Sequence, residues 1–284
     1  MVVMFRDEKS PFSDAYLGRL ASWLVDDLQL GQRQTTDYLA VSFSALDLMG
    51  HDFGTDTGEV EDMLIRLDDT IGALLAHLDA RVGRDNYVVA LTADHGAAPT
   101  PEQSGGGHIA SEDIQQLVEQ ELTTLWGPPA QPPYVTWVSS GSIYFGRGIY
   151  DRLRQDRAAM QAVLRTLLAV PGMLRVVRSD EIDGGGDDVM RAAAAGLVPG
   201  RTADLLLVPR RHWVIELRAE NEATSHGTFY DYDRRVPILL RGHRVREDRY
   251  SERVTPADIA PTLAYLAGVT LSKADGRVLS EAIR

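Results

Sequence analysis

The sequence contains no cysteine among its 284 residues. Disulfide bonds, zinc–thiolate sites and a cysteine nucleophile are therefore excluded together. Any metal ion that this chain binds must be held by histidine, aspartate or glutamate side chains.

Long apolar runs and leader sequences are also missing. No apolar stretch approaches the roughly 18 residues that indicate a membrane-spanning helix. The first residues, MVVMFRDEKSPFSD, lack the basic start and long apolar run that are typical of a signal peptide. From these absences we expect a soluble chain without a membrane span or a targeting segment.

Basic residues are scarce relative to acidic ones. The chain has 29 Lys and Arg against 41 Asp and Glu, which gives a formal net charge of -12. This balance disfavours a broad basic face that would bind a nucleic-acid backbone. An acidic protein that acts on phosphate needs a local positive centre, and a metal ion can supply one.

The first third of the chain has the pattern of an α/β protein. Residues 37–47, DYLAVSFSALD, form a nearly continuous apolar run that predicts a buried strand. Apolar residues then recur at spacings of three and four between Val60 and Leu78, as in an amphipathic helix. A second apolar strand, NYVVAL, follows and ends at Asp94 and His95. The pattern predicts a strand–helix–strand unit with a right-handed crossover in a parallel sheet.

The middle of the chain has a different pattern. The Pro- and Gly-rich stretch at 99–107 predicts an exposed loop, and residues 109–126 predict a helix. From 134 to about 182 we expect strand pairs, a helix at 151–169 and a further strand at 174–177. This order is typical of an inserted α+β lobe.

Strand patterns typical of the main sheet return at 203–210 and 236–242. Near the end of the chain, Thr255 is placed to cap a helix that Gly268 can terminate. We therefore expect a single domain over residues 1–284. Its core would comprise 1–100 and 201–284, and the inserted lobe would occupy about 101–200.

Candidate metal ligands lie where two predicted strands end. In open α/β sheets, ligands bind outside the carboxyl ends of the strands. Asp94 and His95 follow one such strand, and Asp47 ends another. His51 stands four residues after Asp47, so one helical turn would place both side chains on the same face.

A third candidate ligand is His226 in the polar, turn-rich segment NEATSHGTFYDYD. Two histidines and one carboxylate form a common catalytic zinc set that leaves one coordination position open. Asp47, His51 and His226 would supply that set.

Each candidate has a structural alternative. A strand-end Asp is commonly a helix cap or a turn residue, and a lone His in a loop is usually solvated. We assign the remaining histidines to that solvated class: His77, His108, His212 and His243. The pair of Asp94 and His95 is harder to explain structurally, because a carboxylate and an imidazole at the end of a buried strand need partners.

Four motifs, in this order, resemble the alkaline phosphatase superfamily. They are DxxxH in SFSALDLMGHDFG, TADHG after a strand, SHGT before YDYDRRVPILLRG, and DIAPTLAYLAG followed by DGR. The likeness is strongest to the branch that contains the phosphate-irrepressible alkaline phosphatases and the nucleotide pyrophosphatases/phosphodiesterases. It implies a three-layer α/β sandwich with a mostly parallel sheet and an inserted α+β lobe.

The resemblance also implies a pair of zinc ions and a reaction. Asp47, His51 and His226 would bind one zinc, and Asp94 and His95 would bind the second, about 4 Å away. The implied activity is hydrolysis of phosphate monoesters or diesters through a phosphorylated enzyme. The family's usual export also implies a periplasmic or extracellular location.

One departure from the family pattern affects the expected activity. In the family, a further zinc-binding Asp and the Thr or Ser nucleophile precede DxxxH by well over a hundred residues, whereas DxxxH begins here at Asp47. Neither Thr92 nor Ser225 matches the nucleophile motif. We therefore expect a carboxyl-terminal part of a family member whose amino-terminal part is missing. We expect this part to hold one zinc ion well. We also expect an uncovered sheet edge that would allow self-association or pairing with an upstream half.

Three alternatives to this activity can be weighed, and the first of them stays open. The chain could be a metal-binding or partner-binding fragment that is inactive without the upstream half. The related sulfatases depend on a modified Cys or Ser upstream, and many use calcium, whereas the histidines here are of the zinc type. The cofactor-independent phosphoglycerate mutases show a longer Ser-centred, manganese-binding pattern that this sequence lacks.

Overall fold

The structure is a computed structural model that describes residues 8–129, 133–139, 141–217 and 222–284. Its helices, in chain order, are α1 (Pro11–Asp27), α2 (Ala45–Phe53), α3 (Gly58–Arg81), α4 (Pro101–Ser104), α5 (Ser111–Trp126), α6 (Ile149–Gln155), α7 (Arg157–Leu168), α8 (Asp188–Ala195), α9 (Asp231–Arg234) and α10 (Ile259–Leu266). Its strands are β1 (Val88–Thr92), β2 (Gly107–Ala110), β3 (Val135–Ser139), β4 (Ser142–Phe145), β5 (Met173–Arg178), β6 (Leu205–Pro209), β7 (Trp213–Glu216) and β8 (Ile238–Gly242). Short 3₁₀ helices lie at Ser179–Glu181, Pro256–Asp258 and Ser280–Ala282.

The chain divides into two compact units. The first combines Met1–Met49, Gly58–Gly96 and Arg235–Arg284, and the second combines Gly50–Thr57 and Ala97–Arg234. The boundary after Met49 falls inside helix α2, which continues to Phe53. No described helix is both long enough and apolar enough to cross a membrane.

Helices α1 and α3 pack against each other in the first unit. Val25 of α1 and Met63 of α3 are almost completely buried, whereas Leu64, one of the residues in the predicted apolar spacing of α3, is 49% exposed. Gly18 brings the helices close together, because a Cβ atom at this position would lie 2.6 Å from Cγ2 of Thr70. The predicted helix between Val60 and Leu78 is thus confirmed.

The predicted strand at 37–47 is wrong. Residues 36–44 have no regular secondary structure, helix α2 begins at Ala45, and Tyr38 is 78% exposed. Apolar composition favours a strand, but a strand also needs a hydrogen-bonded neighbour.

Strand β1 is formed, but it pairs antiparallel with β8, with Val88 opposite Gly242 and Thr92 opposite Ile238. The predicted parallel pairing between 37–47 and β1, both of which the structure describes, is therefore not formed.

A four-stranded sheet organises the second unit. Its strand order is β3-β4-β6-β5, and every neighbouring pair is antiparallel. Val118 and Leu122 of α5 and Val163 of α7 pack with sheet residues such as Ile143 in one apolar core. Strand β6 thus pairs with strands of the expected lobe, whereas its sequence pattern assigned it to the main sheet.

The predicted helix at 151–169 is divided in two. Helix α6 ends at Gln155, and α7 starts at Arg157. Asp156 lies between them, and its side chain accepts a hydrogen bond of 3.0 Å from Ala159 N. An N-cap residue has non-helical backbone angles, so it starts a new helix.

The exposed loop predicted at 99–107 is wrong, because the short helix α4 (Pro101–Ser104) lies within it. At Gly107 begins β2, which pairs parallel with β7 in the same unit. Gly106 precedes β2, and a Cβ atom there would lie 1.7 Å from the carbonyl oxygen of His212. Glycine is therefore required for this close backbone approach.

The predicted start and end of the helix near the carboxyl terminus are confirmed. Thr255 and Asp258 form a reciprocal capping box ahead of α10, and Gly268 follows the helix with φ +73. Asp258 is 5% exposed, and its carboxylate also accepts a 2.8 Å hydrogen bond from Arg277 N. Thr262 Oγ1 accepts a hydrogen bond from Leu279 N. The DIAPT and DGR motifs thus hold the carboxyl-terminal segment against α10.

Candidate metal centre

Helix α2 carries the first two candidate ligands. Asp47 lies in its first turn and His51 in its last, four residues apart, so both side chains project from one helical face. At the start of the helix, Ala45 N lies 3.5 Å from Oδ1 of the buried Asp14. Burial raises the pKa of the Asp14 carboxyl group.

His226 lies beside His51 in the second unit. The two imidazole rings have centroids 5.0 Å apart and an interplanar angle of 50°. The chain just before His226 is hydrogen-bonded to helix α2, because Ala223 N donates to the carbonyl oxygen of His51 at 2.6 Å. Thr224 Oγ1 donates to the carbonyl oxygen of Ala98 at 2.8 Å. These contacts position the loop that presents His226.

A backbone carbonyl determines the tautomer of His51. Its Nδ1 lies 3.0 Å from the carbonyl oxygen of Thr224. A carbonyl oxygen accepts but does not donate, so Nδ1 must carry the hydrogen of this bond. The lone pair of the neutral imidazole is then on Nε2, which is the nitrogen that can ligate a metal ion.

Asp47, His51 and His226 form a group that can hold a metal ion. Each offers one ligand atom, and these atoms all lie within 4.8 Å of one another. Helix α2 itself fixes the position of Asp47 relative to His51. Zinc binds imidazole nitrogen and carboxylate oxygen at about 2.0–2.2 Å, so small side-chain movements would close the three atoms onto one ion. The donor set and its spacing fit zinc.

Asp94 and His95 follow β1 in the first unit. His95 Nε2 lies 3.7 Å from Oδ2 of Asp94 and 4.0 Å from Oδ1 of Asp47. His95 Nδ1 lies 2.9 Å from the carbonyl oxygen of Gly96, which again directs Nε2 toward the carboxylates. The side chain of Asp94 is 89% exposed. Within the described residues, the group that meets the metal-ligand spacing comprises Asp47, His51 and His226.

His108, which the sequence pattern assigned to a solvated loop, is a structural residue of β2. Its Nδ1 contacts a carboxylate oxygen of Glu216, and its Nε2 lies 2.8 Å from Oε1 of Glu102. The Glu216 side chain is 1% exposed, and this burial raises the pKa of its carboxyl group. Glu216 is distant from His108 in sequence, and Glu102 lies in the short helix α4. Local composition therefore did not indicate either partner.

Two further histidine assignments are also wrong, and one agrees with the structure. His77 Nε2 lies 3.2 Å from Oδ1 of Asp26, and His212 Nδ1 lies 3.0 Å from the carbonyl oxygen of Ser104. Both rings therefore contact polar groups of other elements. His243 is exposed, as expected.

Sequence comparison identifies the family. The profile of the type I phosphodiesterase / nucleotide pyrophosphatase family matches residues 4–232, which is more than half of the chain. The chain therefore belongs to this family of the alkaline phosphatase superfamily. The resemblance inferred from the four motifs is confirmed.

Individual relatives agree with this assignment. The chain is 33% identical over 291 residues to the alkaline phosphatase PhoK of a Sphingomonas species, covering 95% of this chain and 51% of that protein. It is 26% identical over 283 residues to the alkaline phosphatase PafA of Elizabethkingia meningoseptica, covering 96% of this chain and 51% of PafA. The chain thus spans about half the length of the curated relatives that it matches.

Solved structures show the same α/β fold. Wild-type PafA superposes with a TM-score of 0.86 at 25% identity, covering 98% of this chain and 54% of that structure. The human ectonucleotide pyrophosphatase/phosphodiesterase 5 superposes with a TM-score of 0.58 at 17% identity, covering 84% of this chain and 56% of that structure. The expected alkaline phosphatase-like fold class is confirmed.

Proposed function

We propose that this chain is part of a zinc-dependent phosphohydrolase that acts on phosphate monoesters or diesters. The observation that carries the proposal is the group of Asp47, His51 and His226, in which the ligand atoms lie within 4.8 Å of one another. Membership in the type I phosphodiesterase / nucleotide pyrophosphatase family supports the same reaction class. Hydrolysis assays with a phosphate monoester and a phosphate diester would show which class of substrate is preferred.

The residues of this chain would hold and orient the metal. When bound, zinc would offset the negative charge of a phosphoryl group as a Lewis acid. His51 and Asp47 would hold the ion from one helix, and His226 would hold it from the loop beside that helix. Two histidines and one carboxylate leave a fourth position open for substrate or water.

We propose one well-held zinc ion in this chain. Three protein ligands converge at the first site, whereas Asp94 and His95 supply two ligands to a second. Two ligands should bind zinc weakly, and the superfamily's second ion would need a further carboxylate.

Zinc titration of the purified chain tests the metal site. We expect one tight zinc ion per wild-type chain by calorimetry and elemental analysis. His226→Ala should weaken zinc binding by more than the roughly 10- to 100-fold that loss of an outer hydrogen-bond partner costs. His243→Ala, which changes an exposed histidine, is the matched control and should bind zinc like the wild type. Equal affinity of all three proteins would refute the proposed site.

Hydrolysis of p-nitrophenyl phosphate and its bis ester tests the reaction. No residue of this chain is assigned as the nucleophile, so a second candidate function is a metal-binding part that requires another polypeptide segment for turnover. Turnover by the zinc-loaded chain alone would favour the first function. Turnover that appears only after the upstream coding region is added would favour the second.

We also propose that the first unit associates with a further polypeptide, either a second copy or an upstream half. Within the described chain, β1 and β8 form a two-stranded sheet, so each has an edge without a strand neighbour. Phe12, Tyr16 and Trp23 of α1 are more than half exposed. Light scattering should give a mass above the 31.3 kDa of one chain. A monomer at all concentrations would exclude self-association.

A further inference from the structure

His51 has a second partner besides the carbonyl of Thr224. Oε2 of Glu222 lies 3.1 Å from His51 Nδ1. The same nitrogen lies 3.0 Å from the Thr224 carbonyl oxygen. One N–H group therefore faces two acceptors, one from the backbone and one from a carboxylate side chain. All three residues belong to the second unit.

We propose that Glu222 is a positioning residue for the metal site, which holds the His51 ring with Nε2 toward the ion and strengthens that nitrogen as a ligand. The inference rests on the proposed zinc site. A carboxylate on the far nitrogen of a ligating imidazole fixes its orientation and raises its basicity. Glu222 is four residues before His226, so the same short segment supplies one ligand and orients another.

The charges of the site favour this role. Asp47 alone would offset one of the two positive charges of a zinc ion, because His51 and His226 ligate as neutral imidazoles. Glu222 contributes a second negative charge through the His51 ring. Its side chain is 36% exposed and that of His51 is 18% exposed, so water weakens the interaction only in part. The Thr224 carbonyl can orient the ring but carries no net charge.

The loop geometry explains why this carboxylate can reach His51. Ala223 N donates to the His51 carbonyl oxygen at 2.6 Å, directly after Glu222. Ala98 N donates to the Ser225 carbonyl oxygen at 3.1 Å two residues later. These hydrogen bonds fix the backbone on both sides of Thr224. The backbone next to Glu222 is therefore fixed where its carboxylate can contact the imidazole of His51.

Zinc affinity of the full 284-residue chain tests the role of Glu222. Glu222→Ala should weaken zinc binding about tenfold, the lower end of the usual range for an outer partner, because the Thr224 carbonyl remains. Glu222→Gln keeps an oxygen acceptor but removes the charge, so its affinity should lie between those of the wild type and Glu222→Ala. Glu247→Ala removes an equal charge from an exposed position and should bind like the wild type. Circular dichroism spectra like that of the wild type would show that each variant is folded.

A double-mutant cycle separates positioning from a general structural effect. If Glu222 acts through His51, then Glu222→Ala should cause no further loss of affinity in a His51→Ala background. The visible absorption bands of bound cobalt(II) give a second readout. They should change in Glu222→Ala and stay close to wild type in Glu222→Gln.

The outcomes distinguish this inference from the proposed function. A wild-type chain without zinc binding would overturn both. A wild-type chain that binds zinc, with Glu222→Ala equal to it in affinity and in cobalt spectrum, would overturn the role of Glu222 alone. Additive losses in the double-mutant cycle would likewise show that Glu222 does not act through His51.

Discussion

Individual histidines in this chain differ in which nitrogen contacts the protein. In His51 and His95, a backbone carbonyl lies against Nδ1, so the lone pair is on Nε2. In His108, carboxylates contact both ring nitrogens, so neither can ligate a metal ion. The same residue type therefore serves as a candidate ligand in two places and as a structural link in the third.

The structural role of His108 predicts a large effect on stability. His108→Ala would leave the carboxyl group of Glu216 buried without its imidazole partner. Loss of one member of a buried pair typically costs about 3–5 kcal/mol. We therefore expect a fall of about 3 kcal/mol in the free energy of unfolding, measured by urea denaturation. His243→Ala is the control, and a His108→Ala loss as small as that of the control would contradict the assignment.

Alanine substitutions at two glycines should change the stability of the protein in opposite directions. In Gly106→Ala the new Cβ atom would meet the backbone of His212 at 1.7 Å, so the backbone must move, at a cost of about 1–3 kcal/mol. In Gly72→Ala, inside helix α3, nothing lies within 4 Å, and alanine should stabilise the helix by about 0.5–1 kcal/mol. Thermal melts would show a lower Tm for the first and a higher one for the second. A rise for Gly106→Ala would contradict the observed backbone approach.

At the scale of elements, helix α10 depends on a buried cap. Burial raises the pKa of Asp258, but hydrogen bonds from Arg277 N and Thr255 N, together with the Arg277 charge, outweigh it and leave that pKa lowered. The ionised carboxylate thus joins the start of the helix to the DGR turn.

The lowered pKa of Asp258 sets a direction for the pH dependence. Its contribution to stability is present above the ordinary Asp pKa of about 3.9 and is lost as pH falls through the lower folded value. Asp258→Asn should therefore lower the free energy of unfolding by about 1–2 kcal/mol at pH 7, with a smaller deficit at about pH 3. Asp275→Asn, at an exposed position in the DGR turn, is the control. An equal deficit at both pH values would rule out a role for the ionised carboxylate.

At the scale of the whole molecule, zinc binding should raise the free energy of unfolding. A ligand that binds only the native state adds about 2.7 kcal/mol at a concentration of about 100 times its Kd. We expect zinc to raise the Tm of the wild-type chain and a chelator to reverse the rise. His226→Ala should show little change at the same zinc concentration. A zinc-induced rise of equal size in the variant would point to another binding site.

The sequence predicted the elements that depend on local signals. Helix α3 follows from its apolar spacing, the start of α10 follows from Thr255, and its end follows from Gly268. The strand expected at 37–47 failed because strand formation depends on a neighbour that composition does not reveal. Strand β6 was predicted as a strand, but its sheet was not, because pairing depends on contacts across the chain.

The candidate site was predictable in part. Spacing within a helix brought Asp47 and His51 together in advance. The polar, turn-rich segment around His226 suggested the third candidate, which the resemblance supported and which the structure places beside His51. Glu222 and the Thr224 carbonyl gave no signal, because a contact with His51 crosses more than a hundred residues of sequence. The motifs thus indicate candidate ligands, whereas the outer partners of those ligands depend on contacts that form only in the folded loop.

The four-residue interval between Asp47 and His51 has a consequence for natural variation. A Cβ atom added at Gly50 would meet nothing within 4 Å, so this position between the two candidate ligands can accept a small side chain. Adding or deleting one residue in the interval would instead turn His51 by about 100° around the helix axis, away from Asp47. In a library of variants, Gly50→Ala should survive a zinc-binding screen, while single-codon insertions and deletions at 48–50 should disappear.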